Sequence, residues 1–324
     1  MRRVGARAIA AITFAVTALA TPACSPSATP RAASHATPRE RSPRVEDAFD
    51  GEPELLVVVR PLKLVRDPLY GPLLRRVSQL ASSQAAVAAA VGTTALAALE
   101  RADEVILAAY DARARDAIVA VRGVPAEIDP ARVVDTNGAP LWAHTRDLTR
   151  GVEELAPTDH AADAALFVLP GRAWIIAVGA AAIARTRSAY VEDTRGARSP
   201  LGVVDAEPLI VARLRGDALV RMRPQLADGP LAPITQDLDS ATFTLEPGPQ
   251  GQVGEVVARF IYGDPPFAVR AEPAVRDVVA AFTRTYDTQA PWLHAVTIAR
   301  DDRVVAVRGR IPRAWVDGFL HLEL

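Results

Sequence analysis

Carboxylates set around a histidine are the residues with the clearest potential for chemistry. The stretch GVEELAPTDHAAD carries Glu153, Glu154, Asp159 and Asp163 near His160. Oxygen ligands of this kind hold Ca²⁺ when a loop makes them converge, but their spacing here matches no known loop plan. A solvated acidic connector is therefore the favoured interpretation, and a metal-assisted hydrolase is kept as an alternative.

Other signals for catalysis point to structural roles. Asp237 and Asp239 in QDLDS suit a strand entry better than acid–base work. The glycine-rich stretch GPQGQVG, at 248–254, lies between two predicted strands, so no helix N-terminus would meet a phosphate there. The remaining histidines flank apolar runs or lie in a polar segment: His35, His144, His294 and His321.

The motifs of nucleophile elbows, zinc peptidases and phosphate loops, namely GxSxG, HExxH and GxxxxGK[ST], do not occur in the sequence. The sequence thus predicts no catalytic residue, no cofactor and no metal, and we expect a protein that is not an enzyme.

Composition narrows the class of protein. The 324 residues are 50% hydrophobic with a formal net charge of −1, which is typical of a globular chain and not of a nucleic-acid binder. Cys24 is the one cysteine, which excludes an intramolecular disulfide, a zinc cluster and a CxxC redox site. A domain without disulfides or structural zinc must depend on its hydrophobic core for stability.

The first 24 residues, MRRVGARAIAAITFAVTALATPAC, have the pattern of an export signal. Arginines at 2, 3 and 7 precede an apolar run at 8–20, which is shorter than the roughly 20 residues that a permanent membrane helix needs. Small residues follow, and Cys24 stands at the expected cleavage point.

This segment resembles a bacterial lipoprotein signal. The resemblance implies that residues 1–23 are removed and that Cys24 becomes the lipidated first residue, with Ala23 before the cut. Ser25 in the second mature position implies residence in the outer membrane, with the domain facing the periplasm or the surface. An ordinary secretory signal that is cut after Ala23 is the alternative.

Residues 24–52 are predicted to form a disordered tether between membrane and domain. They are rich in Pro, Ser, Ala and Thr without apolar periodicity, so burial cannot offset the entropy of ordering them. Without the three arginines of the signal, the mature chain has 34 basic and 38 acidic residues, a net charge of −4. Such a charge gives no attraction to anionic headgroups, so the acyl chains must provide the anchor.

Four hairpins, each with a glycine at its exit, dominate the rest of the chain: 104–123, 165–179, 241–263 and 294–309. The pentapeptide VAVRG occurs in the first and the last, at 119–123 and 305–309. We expect each exit glycine to turn the chain into a helix, through positive φ or close backbone packing.

Helical patterns follow these hairpins and also two single strands, at 51–61 and 205–216. The single strands lead into helical regions at about 72–99 and 217–223. The order β-α, ββα, ββα therefore occurs twice, which predicts an internal duplication with halves at 53–204 and 205–324. The predicted fold class is α+β: antiparallel sheets of hairpin–helix (ββα) units, with helices on one face.

These observations favour a lipid-anchored protein of the cell envelope that binds or scaffolds without catalysis. The protein would contact the membrane through its lipidated N-terminus, and we expect no binding of nucleic acid. The sequence does not specify which protein or hydrophobic ligand it binds. A carrier of a lipid or another hydrophobic molecule, held between helices and sheet, is the alternative. Asp135 to Asp163, the longest predicted irregular stretch, is a further candidate for function.

Overall fold

The computed structural model describes residues 43–72, 101–111, 116–132, 139–158, 163–191, 208–229, 231–247 and 253–320. The export signal, Cys24 and most of the predicted helix at 72–99 lie outside these ranges, as do His35, His160 and His321.

The described residues form one antiparallel sheet of twelve strands, in the order β11-β12-β10-β9-β8-β1-β2-β3-β7-β6-β5-β4. The strands are β1 (Leu55–Val59), β2 (Glu104–Asp111), β3 (Asp116–Arg122), β4 (Trp142–Asp147), β5 (Glu153–Pro157), β6 (Ala164–Leu169), β7 (Ala173–Val178), β8 (Ile210–Arg215), β9 (Leu238–Glu246), β10 (Val253–Tyr262), β11 (Thr297–Asp301) and β12 (Val304–Pro312). All four predicted hairpins are present, as β2–β3, β6–β7, β9–β10 and β11–β12.

The two halves of the chain share this sheet and meet at the antiparallel pair β1–β8, where Val57 lies opposite Ala212. Outward from this pair, the first half runs β1-β2-β3-β7-β6 and the second half runs β8-β9-β10-β12-β11. The strands therefore follow one order in both halves. Their origin by duplication stays a prediction.

The predicted fold class, α+β with antiparallel sheets of ββα units, is wrong. One large sheet dominates the described residues and helices are few, so the fold is not a set of helix-closed ββα units. Hairpins add to one another edge to edge because the outer strand of each hairpin has unpaired backbone N–H and C=O groups, which the next strand can bind. The stretch after β3 shows the difference from a ββα unit. It forms a short 3-10 helix (Pro130–Arg132) and then two more strands, β4 and β5.

The helices are α1 (Pro61–Arg66), α2 (Ala180–Val191), α3 (Gly216–Met222), α4 (Gln225–Asp228), α5 (Ala232–Thr235), α6 (Pro265–Thr285) and α7 (Arg313–Leu320). Proline at the start of α1 and α6 suits a first helical turn, whose N–H groups lack intrahelical partners. Among the described residues, no helix is both long enough and apolar enough to cross a membrane.

Residues directly opposite in antiparallel strands point to one face, which divides the sheet into two sides. We call the side to which Leu56 and Val58 point the front, and the other side the back. In the first half, α2 and the segment 45–49 cover the front, where Phe167, Ile175 and their neighbours are buried. A second cluster around Trp174 and Leu166 covers the back.

The second half is covered on the back. Ala268, Ala271 and Val275 of α6 pack there against Val305 and Tyr262. Helices α1 and α7 bury Leu64 and Val316 in a neighbouring cluster. Helices thus lie on both sides of the sheet, and the predicted placement on one face is wrong.

The end of the predicted tether belongs to the folded domain. Val45, Ala48 and Phe49 are buried in the front cluster, and the Tyr190 hydroxyl donates a hydrogen bond of 2.8 Å to the Arg44 carbonyl. Packing therefore begins before residue 52, because this short stretch carries apolar residues that α2 can cover.

The two VAVRG pentapeptides occupy different positions. Gly123 follows the last residue of β3 with φ 70°, as the predicted corner requires. Gly309 lies inside β12, where an added Cβ would come within 3.0 Å of the Trp292 ring. The expected corner at Gly309 is wrong, and close packing explains that glycine instead.

Candidate functional site

The front of the second half is a polar surface created by alternation along the strands. Successive residues of a strand point to opposite faces, so VARLR in β8, TFTLE in β9 and EVVAR in β10 each direct every second residue forward. The strand register places these side chains together on the front: Arg213, Thr242, Thr244, Glu246, Glu255, Arg259, Arg308 and Arg310. We call this set the polar face.

Rows across the strands define its geometry. Arg213, Thr242 and Arg259 form one row on β8, β9 and β10. Because neighbouring strands lie about 4.8 Å apart, the backbones of Arg213 and Arg259 are separated by about 10 Å. Arg308 occupies the next row, diagonal to Arg259 across the β10–β12 pair.

The arginines of the polar face are weakly paired. Glu255 lies 3.8 Å from Arg308, whose side chain is 58% exposed. Arg213 contacts Glu52 at 2.9 Å, with both side chains about half exposed. Exposed ion pairs of this kind are worth under about 1 kcal/mol. The guanidinium groups can therefore exchange these partners for an incoming anion.

No described helix contributes to a hydrophobic cluster on the polar face, because the clusters of this half lie on the back. Thr244 and Val257 are buried within the strands, while Arg213, Arg308 and Arg310 are exposed. The result is a surface that offers guanidinium donors and the hydroxyl of the half-buried Thr242.

The acidic stretch that the sequence singles out does not converge. Glu153 and Glu154 are neighbours on β5 and so point to opposite faces; Glu153 is exposed and Glu154 is buried. Asp159 and His160 lie outside the described residues. Within the described ranges, no group of three or more His, Cys, Asp or Glu side chains could hold a metal ion.

Glu154 is instead the centre of a buried charge cluster on the front of the first half. Arg187 of α2 donates two hydrogen bonds to its carboxylate, at 2.6 and 3.1 Å, and Arg146 of β4 donates a third at 2.9 Å. Burial raises the pKa of Glu154, but these hydrogen bonds outweigh it, so the pKa lies below its ordinary value. The carboxylate of Glu154 is therefore ionised, and both of its oxygens accept hydrogen bonds from arginines. These bonds connect α2 and β4 to β5.

Similar pairing occupies other front carboxylates of the first half. Arg185 of α2 binds Asp116 through hydrogen bonds of 2.9 and 3.2 Å and lies over the Tyr110 ring. Arg122, from the first VAVRG, pairs with Glu104 at 2.8 Å and with Glu46. Five strands separate the strand of Arg122 from that of Arg308, so the two arginines do not share an anion.

The other predicted residues lie at the surface or in the core. His144 and His294 are exposed and contact Asp147 and Asp287. Asp237 directly precedes β9, so it lies at the predicted strand entry, and its φ of 54° is in the left-handed region. Of the tryptophans, Trp174 is buried, while Trp292 and Trp315 pack edge to face at 5.8 Å.

The polar face was not predicted from the sequence, although alternation of polar and apolar residues in two of its strands indicates it. TFTL at 242–245 and VRGR at 307–310 place a polar residue at every second position, whereas LLVVV and AWIIAV of the first half do not. Alternation is typical of a strand with one face buried and one face in water.

No family model, no curated protein and no solved structure matches this chain.

Proposed function

We propose that this chain is a non-enzymatic binding protein of the cell envelope, and that the polar face takes a ligand bearing several anionic groups. The observation behind the proposal is a set of four arginines, accompanied by two glutamates, on a sheet surface where no described helix forms a hydrophobic cluster. Guanidinium groups bind carboxylate, sulfate or phosphate in a bidentate way, and threonine hydroxyls add neutral hydrogen bonds.

The shape of the surface favours an extended ligand. Among the described residues no helix encloses this face, whereas small-molecule sites are concave and mostly apolar. The spacing of about 10 Å between the Arg213 and Arg259 backbones suits a chain with repeated charges. An anionic polysaccharide is the ligand class that we infer.

The membrane anchor remains part of this proposal. The resemblance of residues 1–24 to a lipoprotein signal supports lipid attachment at Cys24, and residues 25–42 would then connect the anchor to the first packed residues. Incorporation of labelled palmitate by the full-length chain, with none in Cys24→Ser, is the expected result. Equal labelling of both chains would contradict the attachment site.

A carrier of a lipid or another hydrophobic molecule is the alternative function. It predicts an apolar cavity between the helices and the sheet. The described residues form an open depression of about 510 Å³ at Pro265, Pro266, Val269 and Arg270, on the outer side of α6. That depression faces away from the sheet.

Binding of heparin, a soluble sulfated polysaccharide, to the full-length chain tests the polar face. We expect Arg259→Glu combined with Arg308→Glu to weaken binding by at least tenfold, because each reversal replaces an attraction with a repulsion. The control is Arg284→Glu on α6, an exposed arginine on the other side of the same half.

The control variant should bind within twofold of the unaltered chain, and added salt should weaken binding in all three chains. No binding by the unaltered chain, or an equal loss in the control, would reject the polar face as an anion-binding surface.

A further inference from the structure

Strand β11 is an outer edge of the sheet, and the corresponding edge in the first half is paired. The strand that holds the same place in the first half is β6. Its outer side pairs antiparallel with β5, through Glu153–Val168, Glu154–Phe167 and Leu155–Leu166. Nothing in the described part of the chain pairs with the outer side of β11.

The two edges of the sheet differ in how they are protected. At the β4 edge, the register shifts between His144 and Arg146, and such a bulge discourages pairing with another strand. The register of β11 with β12 is continuous from Thr297 to Asp301, and β11 contains no proline. An exposed, regular edge is a template for another strand.

We propose that β11 pairs antiparallel with β11 of a second copy of this chain, so that two sheets join across a twofold axis at Ala299. A strand that pairs with its own copy in an antiparallel sense makes a closed, self-complementary contact. The proposal does not require a ligand on the polar face, although it shares Arg308 with that face.

Side chains on the front suit this register. With Ala299 opposite the partner's Ala299, the row across the axis reads Ala306, Ala299 and then the same two residues of the partner in reverse order. These small side chains leave the axis free of steric conflict. Ala299 is exposed, so an approaching strand can reach it.

Charges complement one another in the flanking rows. The register places Thr297 opposite the partner's Asp301, and Arg308 lies next to Thr297 on β12. Arg308 and the partner's Asp301 are then two strand spacings apart, about 10 Å between backbones, which an extended arginine can span. The twofold axis makes this contact twice.

One bond must be exchanged on pairing. Arg276 of α6 donates a hydrogen bond of 3.2 Å to the Ile298 carbonyl, and its side chain is 54% exposed. It also holds Glu272 at 2.7 Å, so it keeps a partner when the incoming strand takes the carbonyl. Because β11 has five residues, the interface is small, and we expect association to be weak and concentration-dependent.

Disulfide trapping tests the pairing in the full-length chain with Cys24→Ser, which leaves no natural cysteine. Opposite residues of an antiparallel pair have Cα atoms about 4.5–5.5 Å apart, within disulfide reach. Ala299→Cys should therefore give a covalent dimer on mild oxidation. Ala306→Cys should not, because three strand spacings, about 14 Å, separate its two copies.

Ala143→Cys, exposed on the β4 edge, measures random collision. A dimer yield from Ala299→Cys at least tenfold above that of Ala143→Cys supports the proposal, and equal yields overturn it.

Exchanging the charges of Asp301 and Arg308 provides a second test, in which sedimentation measures the dimerisation constant. Asp301→Arg should weaken dimerisation about tenfold by facing the partner's Arg308, and adding Arg308→Glu should restore it. Loss in the single variant without recovery in the double variant would overturn the proposed register.

Discussion

The two halves of the sheet follow one strand order but are covered differently. The first half buries both of its faces, the front beneath α2 and the segment 45–49, the back beneath the chain around Val124 and Ile128. The second half is covered on the back and presents the polar face on the front. One strand plan can thus supply a two-sided core in one place and a binding surface in another, according to the residues at alternate positions.

The treatment of arginine differs between the halves in the same way. In the first half, Arg187 and Arg185 belong to α2, which covers the front, and they bind buried carboxylates. In the second half, Arg308 and Arg310 are exposed. Buried pairs hold elements together because neither charge can return to water without cost, whereas exposed guanidinium groups remain free to exchange partners.

Truncation of a front residue in each half should show the largest difference. Phe167→Ala removes a fully buried ring from the front cluster, and we expect a loss of about 3–5 kcal/mol in the free energy of unfolding. Ile261→Ala, at a half-buried front position of β10, should cost about 1 kcal/mol, because less apolar area is lost. Urea unfolding measures both, and similar losses would mean that the second-half front is covered as well.

Neutralising a front carboxylate in each half should give a smaller difference. Glu154→Gln leaves Arg187 and Arg146 without their anion, and since both arginines are partly exposed we expect about 2 kcal/mol. Glu255→Gln should cost under about 1 kcal/mol, because its contact with Arg308 is long and exposed. Equal losses in the two variants would remove the distinction between structural and exchangeable arginine pairs.

Acid should erase the effect of Glu154→Gln. The folded-state pKa of Glu154 lies below its ordinary value, so its stabilising contribution is complete above that value and is lost as pH falls through the lowered pKa. The difference between Glu154→Gln and the unaltered chain should therefore be largest near neutral pH and shrink in the acid range below about 4. A difference that stays constant from pH 7 to pH 3 would contradict this role.

Much of the local structure could be predicted from the sequence. Local sequence patterns predict the four hairpins, the single strand that opens each half and the helix after Gly263. These elements form at the predicted positions. The charge cluster at Glu154 could not be predicted, because Arg146 and Arg187 reach it from separate elements. The acidic stretch misled for the same reason: closeness in sequence places Glu153 and Glu154 on opposite faces of β5.

The sequence by itself determined which segments become strands, where hairpins turn and which residues alternate, because backbone geometry and side-chain period act over a few neighbours. Tertiary structure alone decided that the halves join through β1 and β8, that β5 closes one edge while β11 leaves the other open, and that Gly123 and Gly309 serve different purposes within identical pentapeptides. Those outcomes depend on contacts between residues far apart in the chain. The free energy of such contacts cannot be predicted from a local sequence pattern.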